Sequence, residues 1–494
     1  MPPYPPEAMR HLATPTGAGP PGAAHAVGES GSARCGDLVR VGVRVEDGVV
    51  SEARFQAFGC GAATAAASAA CARLTGAPLD DALRLSAAAL DADLGGLGPA
   101  RRHGAEVVED AVARAFEAWA SPRLGAPGPP AREGRVAVAM SGGVDSAVAA
   151  MLLRDRGLDV VGVTMRLWHD PSAAAAERSC CSPETVRLAR AGAHALGIPH
   201  LTLDVAAPFR EGVVEEFIAG YRAGRTPNPC ITCNGTVRFR VLADAAALLG
   251  ARGLATGHYA RVERGPDGRP AVARAADAGK DQSYMLAMLE EEVLARTSFP
   301  LGGLAKERVR RMAREAGLPA ADAVESQEVC FVGEGGYAPF LERVAGLAPR
   351  PGPVEDAEGR RLGTHDGHWR FTVGQRRGIG VAAPEPLYVL ATDARRNAVI
   401  VGPRERLAAR RLLLERPRVV GDLGEDPLEV RLRYRGRPLR GRAAAALDGL
   451  RVELEDPADG VAPGQTAALY RDGRLVAAGT IAAPSATERN EAVH

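Results

Sequence analysis

Lysine is almost missing from this chain: of 61 basic residues in 494, only Lys280 and Lys306 are lysines. A chain so committed to arginine keeps a lysine by chance or for its compact point charge. Long apolar runs are missing too. No stretch approaches the roughly 20 apolar residues of a membrane span. The opening residues 1–27 are rich in Pro, Gly and Ala and lack the basic region and apolar core of a secretory signal. These absences predict a cytoplasmic protein with no membrane partner, and residues 1–30 read as a disordered tail. The net charge of +1 carries little information, but its distribution is uneven, with twelve arginines between Arg404 and Arg442. That stretch is a candidate polyanion surface.

The length predicts about three domains. Val39–Val45 and Val49–Phe58 alternate like paired strands around an Asp47-Gly48 turn. Ala-rich helical stretches, 62–74 and 107–119, complete a unit at 31–121, and a Pro/Gly-rich linker covers 122–134. From 135 the pattern becomes β then α, repeated. Strand-like runs 136–139, 160–165, 201–205 and 253–255 alternate with helical runs such as 184–196 and 239–249. This predicts a doubly wound parallel sheet with ligands at the carboxyl ends of its strands, over 135–345. Short strands then predict a small central β-rich domain at 346–405 and a β-barrel at 406–484, with a polar tail at 485–494. The expected strands are 369–373, 387–392, 398–401, 428–434, 451–454 and 467–471.

Ser141-Gly142-Gly143-Val144-Asp145-Ser146 lies between an apolar β-like run and a helix-like run. A strand, a glycine turn and a helix start form a nest of N–H groups suited to a pyrophosphate-like anion. Gly142 and Gly143 permit close backbone approach. Ser141 and Ser146 offer hydroxyls, and Asp145 can hold a divalent metal. The hexapeptide resembles the SGGxDS loop of ATP pyrophosphatases, which cut ATP between its α- and β-phosphates. Met165 ends the second strand level with this loop, where its backbone could meet the adenine.

The eight cysteines are Cys35, Cys60, Cys71, Cys180, Cys181, Cys230, Cys233 and Cys330. In a large chain of this kind they read as metal ligands or as redox and sulfur chemistry rather than as structural disulfides. Cys230-Ile-Thr-Cys233 sits in a proline-punctuated loop. It reads as half a zinc site, a redox pair, part of an iron–sulfur site, or a nucleophile with a neighbour. No second pair follows it, and Cys330 is the long-range candidate partner. Cys180-Cys181 receives no role.

Six motifs occur in one order: Ala139-Met-Ser-Gly-Gly-Val-Asp-Ser146, Gly224-Arg-Thr-Pro-Asn-Pro-Cys-Ile-Thr-Cys-Asn234, Ala255-Thr-Gly-His-Tyr259, Lys280-Asp-Gln-Ser-Tyr284, Val329-Cys-Phe-Val-Gly333 and Thr372-Val-Gly-Gln-Arg-Arg-Gly378. Over about 135–482 the chain resembles the tRNA-specific 2-thiouridylase (MnmA) family. The resemblance implies ATP binding, with Mg²⁺, by Ala139, Met140, Ser141, Gly142, Gly143, Val144, Asp145, Ser146, Met165 and Gly257. It implies adenylation of the 2-oxygen of the wobble uridine and transfer of a persulfide sulfur carried by Cys330. Cys233 would release that sulfur, leaving a Cys233–Cys330 disulfide. Asn228, Pro229 and Cys230 match the segment that touches the target base, which must leave the anticodon stack. His258, Lys280, Asp281, Gln282, Arg433, Tyr434 and Gln465 match further tRNA-contact positions. Some members carry aspartate at the position of Cys230. Here Cys230, Cys233 and Cys330 supply three thiolates, enough for a 4Fe–4S cluster with one open iron, as an alternative to the persulfide route.

Residues 31–121 resemble the IscU/NifU iron–sulfur scaffold family through Cys35-Gly36-Asp37, Phe55-Gln-Ala-Phe-Gly-Cys-Gly61 and Arg102-His103. Cys35, Asp37, Cys60 and His103 match its ligands, mixed donors fit for zinc or iron. Gly104 stands where the family has its third cysteine. The resemblance implies a sulfur-relay or docking module fed by a donor such as a cysteine desulfurase or a sulfur-relay protein. The linker would hold it at high local concentration beside the rest of the chain. Two competing readings make distinct demands. An amidotransferase-linked synthetase would need neither Cys233 nor Cys330. A sulfur carrier with a vestigial loop would not need Ser141, Asp145 and Ser146 intact.

Overall fold

A computed structural model of the chain describes residues 4–23, 25–32, 36–168, 182–321, 329–333 and 335–483. Cys35, Cys180, Cys181 and the tail from 484 lie outside the described residues.

The front unit is an antiparallel sheet, β1 (Ala26–Ser32), β2 (Asp37–Glu46) and β3 (Val49–Phe58), in that spatial order. Asp47 and Gly48 both have positive φ, at 49° and 74°, as a two-residue turn between twisted strands requires. Alternate residues Val39, Val41 and Val43 are buried under the helices Gly61–Leu74 and His103–Ala120. The first of these helices is buried on almost every side, which is why its alanine-rich sequence shows no polar face.

The expected tail is instead part of this unit. Pro6 starts a helix, Pro6–Ala13, that buries Ala8 and fixes His11 Nδ1 2.8 Å from Ser68 Oγ. Proline in the first turn has its φ preset and loses no helical hydrogen bond.

The second unit is a parallel five-stranded sheet, ordered β10-β7-β4-β5-β6. It comprises β4 (Arg132–Ala139), β5 (Asp159–Arg166), β6 (His200–Asp204), β7 (Ala251–Thr256) and the short edge strand β10 (Thr297–Ser298). The four strands expected from the sequence are present, three of them slightly longer and β6 shifted by one residue. A hairpin, β8 (Arg261–Arg264) and β9 (Pro270–Ala273), leaves this unit to pair with the barrel described below.

The third unit is a sheet ordered β12-β11-β14-β13, from β11 (Gly352–Asp356), β12 (Arg361–His365), β13 (Tyr388–Asp393) and β14 (Ala398–Gly402). The strand expected at 369–373 is a 3-10 turn, His368–Arg370. Gly367, at φ 142°, turns the chain there, and Asn397 Oδ1 accepts from the His368 N–H at 3.2 Å.

The last unit is a closed barrel of six strands: β15 (Ala408–Val419), β16 (Leu428–Arg431), β17 (Leu439–Ala446), β18 (Gly449–Asp459), β19 (Thr466–Arg471) and β20 (Arg474–Ile481). Pairing of β15 with β20 closes it, and the β8–β9 hairpin extends its sheet beside β20.

The front unit is docked, not tethered. The expected linker 122–134 runs against the parallel-sheet domain: a Cβ at Gly128 would lie 1.9 Å from the Ala247 carbonyl, and β4 already begins at Arg132. One apolar cluster runs from Val39 and Phe116 of the front unit to Leu201 and Phe209 of the next. The His200 N–H donates to the Leu83 carbonyl at 3.1 Å. Charged pairs ring this contact. Arg190 bonds Glu109 at 2.9 Å, Arg187 bonds Asp110 at 2.8 Å, and Arg166 meets Glu117 at 2.6 Å. Arg135, with a fully buried side chain, donates to Asp80 at 2.8 Å and to Asp159 at 2.7 Å. Burial alone would push the Asp80 carboxyl up, but Arg135 and Arg132 outweigh it and hold it below the usual carboxylate range.

Removing Asp80 leaves the buried Arg135 with only the half-exposed Asp159 as a carboxylate partner. Asp80→Ala is therefore expected to cost about 3 kcal/mol, read by chemical unfolding of the whole chain. A variant as stable as the parent would contradict the clamp.

Candidate active site

The glycine loop leaves β4 at Ala139 and enters the helix Val144–Asp155 with Gly143 as its N-cap. Met140 is buried, and its N–H donates to Val163 of β5 at 2.8 Å, so the loop starts at a fixed height on the sheet. Gly142 has φ 74°, and a Cβ there would lie 2.3 Å from the Thr185 carbonyl. Ser146 Oγ accepts from the Ser141 N–H at 3.1 Å and donates to the Gly143 carbonyl at 3.1 Å, closing the loop on itself. Gly257, just past β7, presses on the first helical turn, where a Cβ would lie 2.7 Å from the Ser146 nitrogen. Met165 is buried at the end of β5. The loop residues, Met165 and Gly257 thus meet at the carboxyl end of the sheet.

Two residues of this site had no place in the sequence-based set. Lys306 Nζ lies 2.7 Å from both Asp145 carboxylate oxygens, and Tyr259 Oη donates to Asp145 Oδ1 at 2.9 Å. The scarcity of lysine was the signal for Lys306. Tyr259 ends one of the ordered motifs.

Asn228 caps the short helix Pro229–Thr232, accepting from the Ile231 N–H at 3.3 Å. A wider turn of π type, Cys233–Arg238, follows and runs into the helix Phe239–Leu248. Such π turns recur at functional sites. Cys230 and Cys233 sit one turn apart and are thiols, as is Cys330. Burial pushes the Cys230 thiol up, only partly offset by the Arg238 guanidinium. Cys233 is buried and Cys330 half-buried, in one apolar cluster. The Cys330 turn is anchored by its neighbour Phe331. That ring meets Trp168, Phe209, Phe217 and Phe340 edge to face, with centroids 6.4, 5.6, 5.2 and 5.1 Å away. Both cysteines thus border the same extended apolar cluster, which also runs into the front unit.

The base-contact and tRNA-contact candidates divide into two groups. Tyr284 Oη donates to the Thr466 carbonyl at 2.8 Å, and the Asn228 side chain and Arg433 lie close enough to act on the same phenol. Gln465 Nε2 donates to the Thr226 carbonyl at 2.8 Å. Asn228 and Arg433 thus act on Tyr284, Gln465 holds the Thr226 carbonyl, and Tyr434 lies under the Arg435 guanidinium at 5.2 Å. Gln282 Oε1 accepts from the Tyr259 N–H at 2.9 Å, and Lys280 lies half-buried on the same turn. Asp281 is buried on this turn. Its carboxylate accepts from the Ala275 and Ser283 N–H groups, each at 3.1 Å, and from Ser283 Oγ at 3.0 Å, so it shapes the turn. His258 stacks on Phe239 and bonds Thr256 Oγ1 at 2.7 Å. Burial, then Arg238, pull its pKa down to about 3, so the ring is neutral at physiological pH.

In the front unit, Asp37, Cys60 and His103 offer ligand atoms all within 4.8 Å of one another, the one such set among the described residues. Asp37 Oδ1 accepts from the Cys60 N–H at 2.7 Å, and Oδ2 lies 3.2 Å from His103 Nε2. Mixed S, O and N donors this close suit a divalent ion. Cys35, the fourth expected ligand, lies outside the described residues. A Cβ on Gly104 would lie 2.8 Å from the backbone of Ala62 and Ala63, so the two helices touch where the third cysteine was expected.

Four domain families match the chain in the order of the four folded units. They are the NifU-like N terminal domain over 3–124, the tRNA methyl transferase HUP domain over 134–334, the tRNA methyl transferase PRC-barrel domain over 339–403 and the aminomethyltransferase beta-barrel domain over 410–481. The bifunctional protein NifU/MnmA of Rubrobacter xylanophilus is 45% identical over 491 residues, 97% of this chain and 98% of that one. The chain belongs to the NifU/MnmA family. Two proteins named tRNA-specific 2-thiouridylase MnmA match about seven tenths of this chain. That of Methylorubrum extorquens is 46% identical over 71% of this chain and 92% of its own length. That of Chloroflexus aggregans is 46% identical over 71% and 98%. This NifU/MnmA chain has a NifU-like unit docked on the first of the three units that follow it.

Two outcomes follow from this packing. Gly142→Ala is expected to cost about 1–3 kcal/mol in thermal unfolding, from its left-handed φ and its clash with Thr185. An unchanged Tm would contradict that contact. His200, buried between β5 and a helix, is pushed well below the usual histidine range by burial, as His258 is. Both rings are neutral in both states above pH 6.5. Below it the unfolded chain binds protons that the folded chain refuses. Stability should therefore fall between pH 7 and 5 by up to about 1.4 kcal/mol per unit per histidine. Equal urea midpoints at pH 7.5 and 5.5 would contradict this.

Proposed function

We propose that the chain is an ATP-dependent tRNA uridine 2-sulfurtransferase. The observation that carries the reading is one juxtaposition. A self-closed anion loop at the end of β4 lies on the same sheet edge as the Trp168–Phe331 contact that seats the Cys330 turn, with Cys233 in the same cluster. In this reading the loop N–H groups and the helix N-terminus cradle the ATP phosphates, and Asp145 holds the Mg²⁺ that accompanies them. The target uridine leaves the anticodon stack and lies against Asn228, Pro229 and Cys230. Exposed Arg433 and its barrel neighbours meet the tRNA backbone, with Lys280 nearer the nucleotide.

Adenylation makes AMP the leaving group at the 2-carbon, and the terminal sulfur of a Cys330 persulfide forms the new bond there. The Cys233 thiolate then attacks the Cys330 sulfur, and the S–S electron pair passes to the sulfur on the base. A Cys233–Cys330 disulfide remains, and an external thiol reduces it with two electrons. The front unit serves sulfur supply. Asp37, Cys60 and His103, with Cys35, would hold a zinc or iron ion, which neutralises the Asp37 carboxylate and favours the thiolate forms. A cysteine desulfurase or a sulfur-relay protein is the proposed donor. None of the described helices is long and apolar enough to cross a membrane. The proposed compartment is the cytoplasm, where thiols stay reduced and tRNA is present.

The test uses anaerobically purified protein, ATP, Mg²⁺, a sulfur donor and unmodified tRNA, with 2-thiouridine read by mass spectrometry of the digested tRNA. ATP-dependent 2-thiouridine is expected. Cys330→Ser should lower it by about 100-fold or more while tRNA-dependent AMP formation stays within about threefold, because sulfur attack follows activation. Thiolation retained by that variant would overturn the role of Cys330. Iron that tracks activity and is lost in Cys230→Ala would replace the persulfide with a 4Fe–4S cluster on Cys230, Cys233 and Cys330.

A further inference from the structure

Polar side chains stand inside the parallel sheet, where apolar residues are the rule. Strands of such a sheet usually read as nearly continuous apolar runs. β5 and β6 break that pattern at Thr164, His200 and Thr202, all buried, and the first two of these meet. Thr164 Oγ1 donates to the Met140 carbonyl at 2.8 Å and lies 2.8 Å from His200 Nε2. Gly162 makes room for this contact, since a Cβ there would lie 2.6 Å from Met140 Sδ and 3.2 Å from His200 Cδ2. The backbone of His200 is itself held by the front unit, its N–H donating to the Leu83 carbonyl at 3.1 Å.

These contacts leave one arrangement of protons. A hydroxyl has a single proton, and a carbonyl can only accept. The Thr164 proton therefore goes to Met140, and His200 carries a proton on Nε2 and donates it to Thr164. Burial keeps the ring neutral, aided by His194 and Arg190, so the tautomer is fixed. With a donor against it, the hydroxyl cannot turn its own proton toward His200. The histidine thus aims the threonine at Met140.

The effect reaches the glycine loop through one peptide plane. The Met140 carbonyl and the Ser141 N–H belong to the same planar trans group and point in opposite directions. Thr164 holds the carbonyl end. The N–H end donates to Ser146 Oγ at 3.1 Å, the bond that closes the loop. Turning this plane over would take the N–H from Ser146 and swing the carbonyl oxygen toward it. A carbonyl oxygen turned into the loop repels an anion, where an N–H attracts one.

We propose that Thr164 and His200 are positioning residues for the nucleotide loop. Together they lock the Met140–Ser141 peptide with its N–H turned to Ser146, the orientation in which the loop accepts phosphates. This rests on the reading that the loop cradles the phosphates of ATP.

The sequence isolates that peptide for measurement. Of the eight methionines, only Met140 precedes a serine. The full-length chain labelled with ¹³C at methionine carbonyls and ¹⁵N at serine therefore gives one carbonyl–amide correlation, that of the Met140–Ser141 peptide. Thr164→Val is expected to displace it and to weaken binding of ATP with Mg²⁺, read by calorimetry, by about tenfold or more, because a buried carbonyl loses its donor. His200→Leu is expected to act in the same direction. Thr164→Ser and His200→Gln, which restore a hydroxyl and an N–H at similar reach, should bind ATP within about threefold of the parent. An unmoved correlation in Thr164→Val overturns the proposal. So does parental ATP affinity in that variant, or a failure of serine and glutamine to rescue binding. If the valine and leucine variants do not fold, the parent decides. His200 should give it a slowly exchanging imidazole N–H signal that His200→Gln removes, and absence of that signal overturns the assignment. If ATP binding follows the Thr164 variants but no 2-thiouridine forms under any condition, the thiolation reading fails and the positioning stands. If 2-thiouridine forms while Thr164→Val binds ATP as the parent does, the positioning fails and the thiolation reading stands. A parent chain that binds no ATP overturns both.

Discussion

Three backbone carbonyls hold the segment leading into Cys230 and Cys233 in register with the two β domains. The Arg222 carbonyl faces His368 Nε2 at 3.2 Å, the Gly224 carbonyl accepts from Thr392 Oγ1 at 2.7 Å, and the Thr226 carbonyl accepts from Gln465 Nε2 at 2.8 Å. The Thr226 N–H is spent as well, on the Pro463 carbonyl at 2.8 Å. All four bonds fall on the segment that leads into Cys230 and Cys233. A proline-punctuated stretch cannot satisfy its polar groups by forming a helix or strand, so it takes partners from neighbouring domains. The β domains thereby become the scaffold of a loop that belongs to the parallel-sheet unit. A rigid-body shift of either domain would reach the cysteines through this one segment.

The front unit is held by a different balance of forces. Its apolar core is continuous with that of the parallel-sheet unit, and this removal of surface from water supplies most of the attraction. The ion pairs around it act mainly on register. Exposed pairs add little energy, but Arg135 is fully buried between Asp80 and Asp159, and a buried guanidinium tolerates few geometries. Glu109 shows the same logic: burial opposes its charge, yet His194 and Arg190 hold its carboxyl below the usual range. The docking contribution of these carboxylates is complete above the ordinary carboxylate pKa and is lost only as pH falls through the lowered values.

Much of this was legible in the sequence because it rests on local rules. The Asp47-Gly48 turn, the alternating strands beside it, the glycine loop and the four parallel strands each carry their signal within a few residues. Two kinds of information were not local. The helix Pro6–Ala13 hides in a Pro- and Ala-rich stretch whose composition suggests disorder, and it is stabilised by contacts with a helix some fifty residues on. The site depends on long-range meetings as well. Nothing near Asp145 in sequence announces Lys306 or Tyr259, and Phe331 reads as an ordinary core residue until its four aromatic neighbours come together. Asp281 lies in a recognisable motif, yet only the fold shows that backbone amides use its carboxylate. The arginine-rich barrel strands gave a charge pattern, but not the bonds that tie Tyr284 to the Thr466 carbonyl and Gln465 to the Thr226 carbonyl.

The contact at Gly104 has a one-way character. With its Cβ position occupied by the backbone of Ala62 and Ala63, the front unit has closed over the place where a third sulfur would stand. A single return to cysteine would have to prise apart the helices Gly61–Leu74 and His103–Ala120. It would disturb Cys60 and His103, which sit at the adjoining ends of those same helices. A third thiol at this place is thus opposed by the packing of the two helices. What remains is a small three-donor group on a body whose apolar core is continuous with that of the parallel-sheet unit, so the distance from that group to the glycine loop is set by packing and not by the reach of a tether.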